Sequence, residues 1–102
     1  MANLDVLAVL ADPTRREVFE IVARTPSNVA RIAERLPVSR PAVSQHLKVL
    51  SDAGLVHVRA EGTRRIYTAR PEKLEELRRW LDAMWSDALT AFAEAAEKET
   101  AT

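Results

Sequence analysis

A mainly α-helical domain with one small β-hairpin, ordered α-α-α-α-β-β-α, is what three features of these 102 residues predict. Apolar residues recur at helical spacing in successive segments before residue 54. After Gly54 the period changes, because "LVHVRA" (55–60) and "RIYTAR" (65–70) are β-branched and roughly alternating, with "EGT" between them. From Pro71 the helical period returns and runs almost to the end of the chain. A chain of this length fits one domain, residues 1–102, with a single modest core.

Each element has its own signals. "LDVLAVLA" (4–11) predicts a short helix with Leu4, Leu7 and Leu10 or Ala11 on one side. Asp12 then offers an N-cap, and Pro13 stands at the first helical position, where its missing N–H is no loss. The helix so begun, over 13–24, turns Val18, Ile21 and Val22 inward. "TPS" (25–27) breaks it, and Ser27 is placed to cap a third helix carrying Val29, Ile32, Ala33 and Leu36. "PVS" (37–39) is a tight connection whose Ser39 caps a fourth helix, with Pro41 in the first turn, where proline is tolerated. Gly54, in Asp52-Ala53-Gly54, suits the left-handed position after that helix.

Composition narrows the class. Hydrophobic residues make up 47% and charged residues 29%, the balance of a globular rather than a disordered chain. With no cysteine, disulfides, thiolate metal sites and cysteine nucleophiles are excluded. The opening "MANLDVLAVLADP" lacks a basic leader, and its apolar run is short and broken by Asp5. It predicts neither a signal peptide nor a membrane span, and a cytoplasmic location follows as the expectation. Fifteen basic and fifteen acidic residues cancel to zero, but not evenly. Residues 38–70 carry Arg40, Lys48, Arg59, Arg64, Arg65 and Arg70 against Asp52 and Glu61, a balance of +4, while residues 71–102 balance at −4. A basic middle, hidden by an acidic tail, keeps a nucleic-acid partner in view.

That middle holds the pattern that carries a function. Two helices joined by a tight turn, within residues 28–53, form a helix-turn-helix, whose second helix enters the major groove. Val29, Ile32 and Leu36 on the first are placed to pack against Val43, Leu47 and Leu50 on the second. Packing then fixes the outward face as Ser44, Gln45 and Lys48, with Ser39 and Arg40 at the N-terminal end. Gln pairs bidentately with adenine and Arg with guanine, while Ser serves either a base or a phosphate. His46, on the shoulder of the buried stripe, fits packing and DNA contact equally. The hairpin over 55–70 makes a wing, whose Arg59, Arg64 and Arg65 suit the sugar-phosphate backbone or a minor groove better than they suit mere protection of an edge strand. His57 reads as an exposed strand residue.

Along "PEKLEELRRWLDAMWSDALTAFAEAAEKE" the apolar positions Leu74, Leu77, Leu81, Met84, Ala88 and Phe92 recur, and Trp80, Trp85 and Leu89 widen the stripe. This is more apolar surface than one small domain covers. Tryptophans in such a stripe fit an interface better than a ligand pocket.

In "LADPTRREVFEIV", "IAERLPVSRPAVSQHLKVLSDAGLV", "RAEGTRRIY" and "LEELRRWLDAMW" the chain resembles the ArsR-type winged-helix repressors of bacteria over about residues 7–90. The resemblance implies a homodimeric transcriptional repressor bound to double-stranded DNA at an imperfect inverted repeat. It implies dimerisation through the first and last helices, residues 1–11 and 71–97, with Leu4, Leu7, Leu77, Trp80, Leu81, Met84, Trp85, Ala88, Leu89 and Phe92 at the contact. Ser39, Arg40, Ser44, Gln45 and His46 then meet the major groove, and Arg64 and Arg65 lie in the wing. The chain departs from the metal-sensing members. It has no Cys, and His46 and His57 lie in the recognition helix and the first wing strand. Asp82 and Asp87 in the last helix have no imidazole or thiolate beside them to complete a soft-metal set. No metal or cofactor is expected, and any inducer is left unspecified.

Two other classes fit less well. A winged-helix dimer serving only protein contacts would expose aromatic or aliphatic anchors on its second helix, not Ser, Gln and Lys. An enzyme finds no machinery here: Ser44 and His46 are two apart on one helix and do not face each other, and there is no Gly-rich phosphate loop.

Overall fold

The computed structural model describes residues 2–100. Helices α1 (Ala2–Ala11), α2 (Pro13–Arg24), α3 (Val29–Glu34) and α4 (Arg40–Asp52) precede strands β1 (Val56–Glu61) and β2 (Arg64–Ala69), and α5 (Glu72–Thr100) closes the chain. The order is the one the periodicities predict. No helix among the described residues is long and apolar enough to cross a membrane.

Local chemistry explains most boundaries. Asp12 caps α2, its carboxylate accepting from the Arg15 N–H at 2.9 Å, with Pro13 at the start. Arg15 and Arg16 reach back over the same corner. Their guanidinium groups donate to the carbonyls of Val9 (3.2 Å) and Leu10 (3.0 Å), satisfying the open C-terminal end of α1 with charges its dipole favours. Ser39 caps α4, accepting from the Ala42 N–H at 3.3 Å. Gly54 follows α4 with φ +78°, a conformation strained for any residue with a Cβ.

Two boundaries differ from the sequence expectation. Asn28, not Ser27, caps α3, with its side chain accepting from the Arg31 N–H at 2.8 Å. Ser27 is buried and bridged to β2: its N–H donates to the Tyr67 carbonyl (3.1 Å), its carbonyl accepts from the Tyr67 N–H (2.9 Å), and its hydroxyl donates to the Thr25 carbonyl (2.7 Å). A long-range strand pairing has claimed the residue that local rules assign to a cap. In the hairpin, Glu61 and Arg64 belong to the strands and face each other, leaving Gly62 and Thr63 as a two-residue turn. Gly62 has φ +64° while Thr63 stays negative, the sign pattern of a type II′ turn, whose twist matches that of the strands.

One core joins all the helices to the base of the hairpin. Val6, Val18, Phe19, Val22, Ile32, Val43, Leu47, Leu50, Leu55, Val56 and Leu77 are buried together. On α1 the core side is Val6, with Val9 and Leu10 partly buried beside it; Leu7 is 38% exposed, and the side chain of Leu4 lies outside the described residues. Helix α1 thus packs on α2 and α5 by a face rotated from the Leu4–Leu7–Leu10 line. Helix α5, 29 residues and about 43 Å long at 1.5 Å per residue, helps give the molecule its 70 × 25 × 22 Å extents.

Candidate nucleic-acid interface

Helix α4 owes its orientation to the core. Val43, Leu47 and Leu50 are fully buried against Ile32 of α3, with Val29 and Leu36 partly buried around them. This stripe forces Ser44, Gln45 and Lys48 outward, and all three are exposed, as are Ser39 and Arg40 at the N-terminal end. The major groove is wide enough to admit such a helix, and its N-terminal residues are the ones that reach base edges.

The wing lies beside that face. Ser44 shares a groove of ≈ 500 Å³ with Asn28, Val29 and Ala30 at the start of α3 and with Arg64, Arg65 and Tyr67 of β2. A second groove, of ≈ 160 Å³, continues along α4 between Ser44, Lys48 and Ser51 on one side and Val58, Arg65 and Tyr67 on the other. Ser44, Arg65 and Tyr67 line both, so recognition helix and wing border one trough. The Ser27–Tyr67 bridge holds it, tying the wing to the entrance of α3 by two backbone hydrogen bonds.

Charges on α4 and the wing differ in availability. Lys48 is paired with Asp52 one turn on (3.2 Å) and Arg59 with Glu61 (3.3 Å). These four side chains are more than half exposed, so each pair contributes at most about 1 kcal/mol and can be exchanged for a phosphate. Arg40, Arg64 and Arg65 are exposed and make no ion pair among the described residues. They are the cations an anionic ligand meets without first displacing a carboxylate. His46 is half-buried and close enough to Asp12 to act on its charge. The Asp12 carboxyl sits below the usual aspartate value, first because the Arg15 N–H donates to it; desolvation opposes this, and the charges of His46 and Arg15 add to it.

Among the expected contact residues, Ser39, Arg40, Ser44, Gln45 and Lys48 share the outer side of α4, and Arg64 and Arg65 join Ser44 across the trough. Arg59 lies on the same hairpin, paired with Glu61. Asn28, Ser51 and Tyr67 also line the trough, and sequence reasoning passed over them. Tyr67 was the most readable of the three, as a lone aromatic two residues beyond Arg65 in an alternating strand. Among the described residues no three His, Asp or Glu side chains cluster as metal ligands would.

A helix-turn-helix with a presented recognition helix and a basic wing defines a module built to read DNA. Residues 10–59 match a helix-turn-helix domain family. The chain is 52% identical over 90 residues to the HTH-type transcriptional regulator Rv2034 of Mycobacterium tuberculosis, covering 88% of this chain and 84% of that one. It superposes with a TM-score of 0.79 on an ArsR-like transcriptional regulator from Rhodococcus sp. RHA1, at 34% identity over 93% of this chain and 92% of that one. It also superposes, with a TM-score of 0.67 at 26% identity, on the homodimeric winged helix-turn-helix DNA-binding domain of Mb0332 from Mycobacterium bovis, covering 86% and 82% of the two chains. The chain belongs to the ArsR-type winged helix-turn-helix transcriptional regulators, and it is a DNA-binding regulator. The relatives it matches are regulators, not enzymes.

Proposed function

We propose that the protein is a homodimeric repressor acting in the cytoplasm without catalysis, each subunit placing one α4 in a major groove of an inverted-repeat operator. The observation that carries this reading is the trough, in which exposed Ser44 and Lys48 lie alongside Arg64 and Arg65, which make no ion pair among the described residues, with Gln45 exposed on the same helix. In this reading Ser39 and Arg40 meet phosphate and base at the N-terminal end of α4, and Ser44 and Gln45 read base edges. Lys48, Arg59, Arg64 and Arg65 neutralise the backbone, and His46 sits at the rim beside Asp12. The dimer joins α1 to α5. Leu7 is 38% exposed, Met84 48%, Trp85 65%, Leu89 61% and Phe92 74%, a run of large apolar groups that a second subunit would cover. Ala88 lies among them, with the half-buried Trp80 and Leu81 at the inner edge. Two-fold symmetry sets the half-site centres about 10 bp apart, or a multiple of that.

Selection from a randomised DNA pool at near-physiological salt tests this, with the Arg40→Ala/Gln45→Ala variant alongside. The expected result is an enriched inverted repeat that the variant fails to select. A folded dimer that enriches nothing would overturn the operator reading.

A further inference from the structure

Behind the wing, on the side away from the trough, α2, β2 and the start of α5 enclose a recess of ≈ 280 Å³. Its walls are Phe19, Val22 and Ala23 of α2, Pro26, Thr68 of β2 and Leu74 of α5. Three properties define what it would hold. Among the described residues no ionisable side chain lines it, so a charged guest would lose its hydration with nothing to replace it. Its volume lies just below the usual range for ligand sites, which calls for a compact molecule. Finally, the Thr68 hydroxyl is buried and has no hydrogen-bond partner among the described residues, an uncommon and unfavourable state for a buried polar group. A turn about χ1 moves that hydroxyl to another staggered position, from which a guest in the recess can supply the missing hydrogen bond.

We propose that this recess is an effector site for a compact, neutral, largely apolar molecule bearing one hydrogen-bonding group, and that filling it weakens DNA binding. The route is short. Pro26 and Thr68 are chain neighbours of Ser27 and Tyr67, the two residues whose paired backbone hydrogen bonds hold the wing to the entrance of α3. Successive residues of a strand present opposite faces, so Tyr67 borders the DNA-side trough while Thr68 borders the recess. A guest that parts Pro26 from Thr68 strains the Ser27–Tyr67 bridge and shifts Arg64 and Arg65 relative to α4. Because coupling is reciprocal, DNA in the trough must weaken the guest by the same factor. The effector half of this proposal rests on the DNA-binding reading above; the site itself does not.

The probe is benzyl alcohol, with toluene as its counterpart lacking the hydroxyl, titrated into the full chain and followed by amide and methyl NMR. Benzyl alcohol is expected to saturate at about millimolar concentration, with shifts centred on Phe19, Val22, Thr68 and Leu74. Thr68→Val should weaken benzyl alcohol about five-fold and leave toluene unchanged, since it removes only the hydroxyl. Ala23→Leu, at an exposed helical position on the rim, should fill the recess and abolish the shifts from both probes. Shifts that do not saturate, or that persist in Ala23→Leu, would overturn the site. Saturable binding that leaves operator affinity within two-fold would overturn the effector role. A protein that binds benzyl alcohol but no DNA would refute the repressor reading while leaving the site standing.

Discussion

The two halves of α5 carry the same apolar period and meet opposite fates. In the first, Leu77 is buried at 7% exposure, with Leu74, Trp80 and Leu81 packed partly around it. In the second, Met84, Trp85, Leu89 and Phe92 are exposed although their residues are as large and as apolar. The first half runs beside the rest of the domain, and the second extends past it. Periodicity therefore marks the side of a helix that wants to be covered and is silent on what covers it. Leu77 is the correction this requires: assigned by resemblance to the contact between subunits, it is instead part of its own protomer's core.

The polar surface shows the same division between groups satisfied within the chain and groups left open. Lys48 and Arg59 have carboxylate partners within the chain, whereas Arg40, Arg64 and Arg65 have none among the described residues.

Substitutions in the two halves of α5 separate their roles most sharply. Leu77→Ala should lower unfolding stability by about 2–5 kcal/mol in urea, through lost burial and the cavity left behind. Its loss should persist at protein concentrations low enough to dissociate a dimer, and a concentration-dependent loss would return Leu77 to the interface. Trp85→Ala should do the converse, weakening self-association by about 2 kcal/mol or more, roughly 30-fold, in sedimentation equilibrium. Its effect on the unfolding of the dilute protomer should be small, and a large one would mean that the second half of α5 folds back on its own chain.

The charged groups sharpen the comparison with smaller effects. Arg64→Ala with Arg65→Ala should weaken binding to all DNA sequences and reduce the slope of log K against log salt by roughly 2, at about 0.9 per phosphate contact. Lys48→Ala with Arg59→Ala should change the slope less, because both cations already have partners; equal slopes would show that the internal pairs do not matter. The smallest effect belongs to Asp12. Its carboxyl is held below the ordinary value of 3.8, so it stabilises the fold above that value and the contribution is lost as pH falls through the lowered one. Asp12→Asn, which keeps the capping oxygen, should flatten the acid limb of the stability profile. An unchanged acid limb would remove Asp12 from its cause.

Much of the interface is legible from sequence because it is made by one local device. Val43, Leu47 and Leu50 repeat at helical spacing, Ser39 caps the same helix, and the outward face then follows without reference to the rest of the molecule. The trough is less legible. It needs Tyr67 and Asn28 brought to Ser44 by a bridge between Ser27 and Tyr67, residues far apart in the chain. No local pattern distinguishes a serine that will cap a helix from one that will pair with a strand.

By itself the sequence determined the order of elements, the caps at Asp12 and Ser39, the left-handed turn at Gly54 and the presented face of α4. These depend on interactions within a few residues, where backbone geometry and side-chain chemistry leave few alternatives. The tertiary structure alone decided which apolar positions of α1 and α5 are used internally, where Ser27 goes, and how wing and helix share a trough with a recess behind it. Those outcomes depend on competition among distant segments for the same surface, and the winner is set by how the whole chain packs.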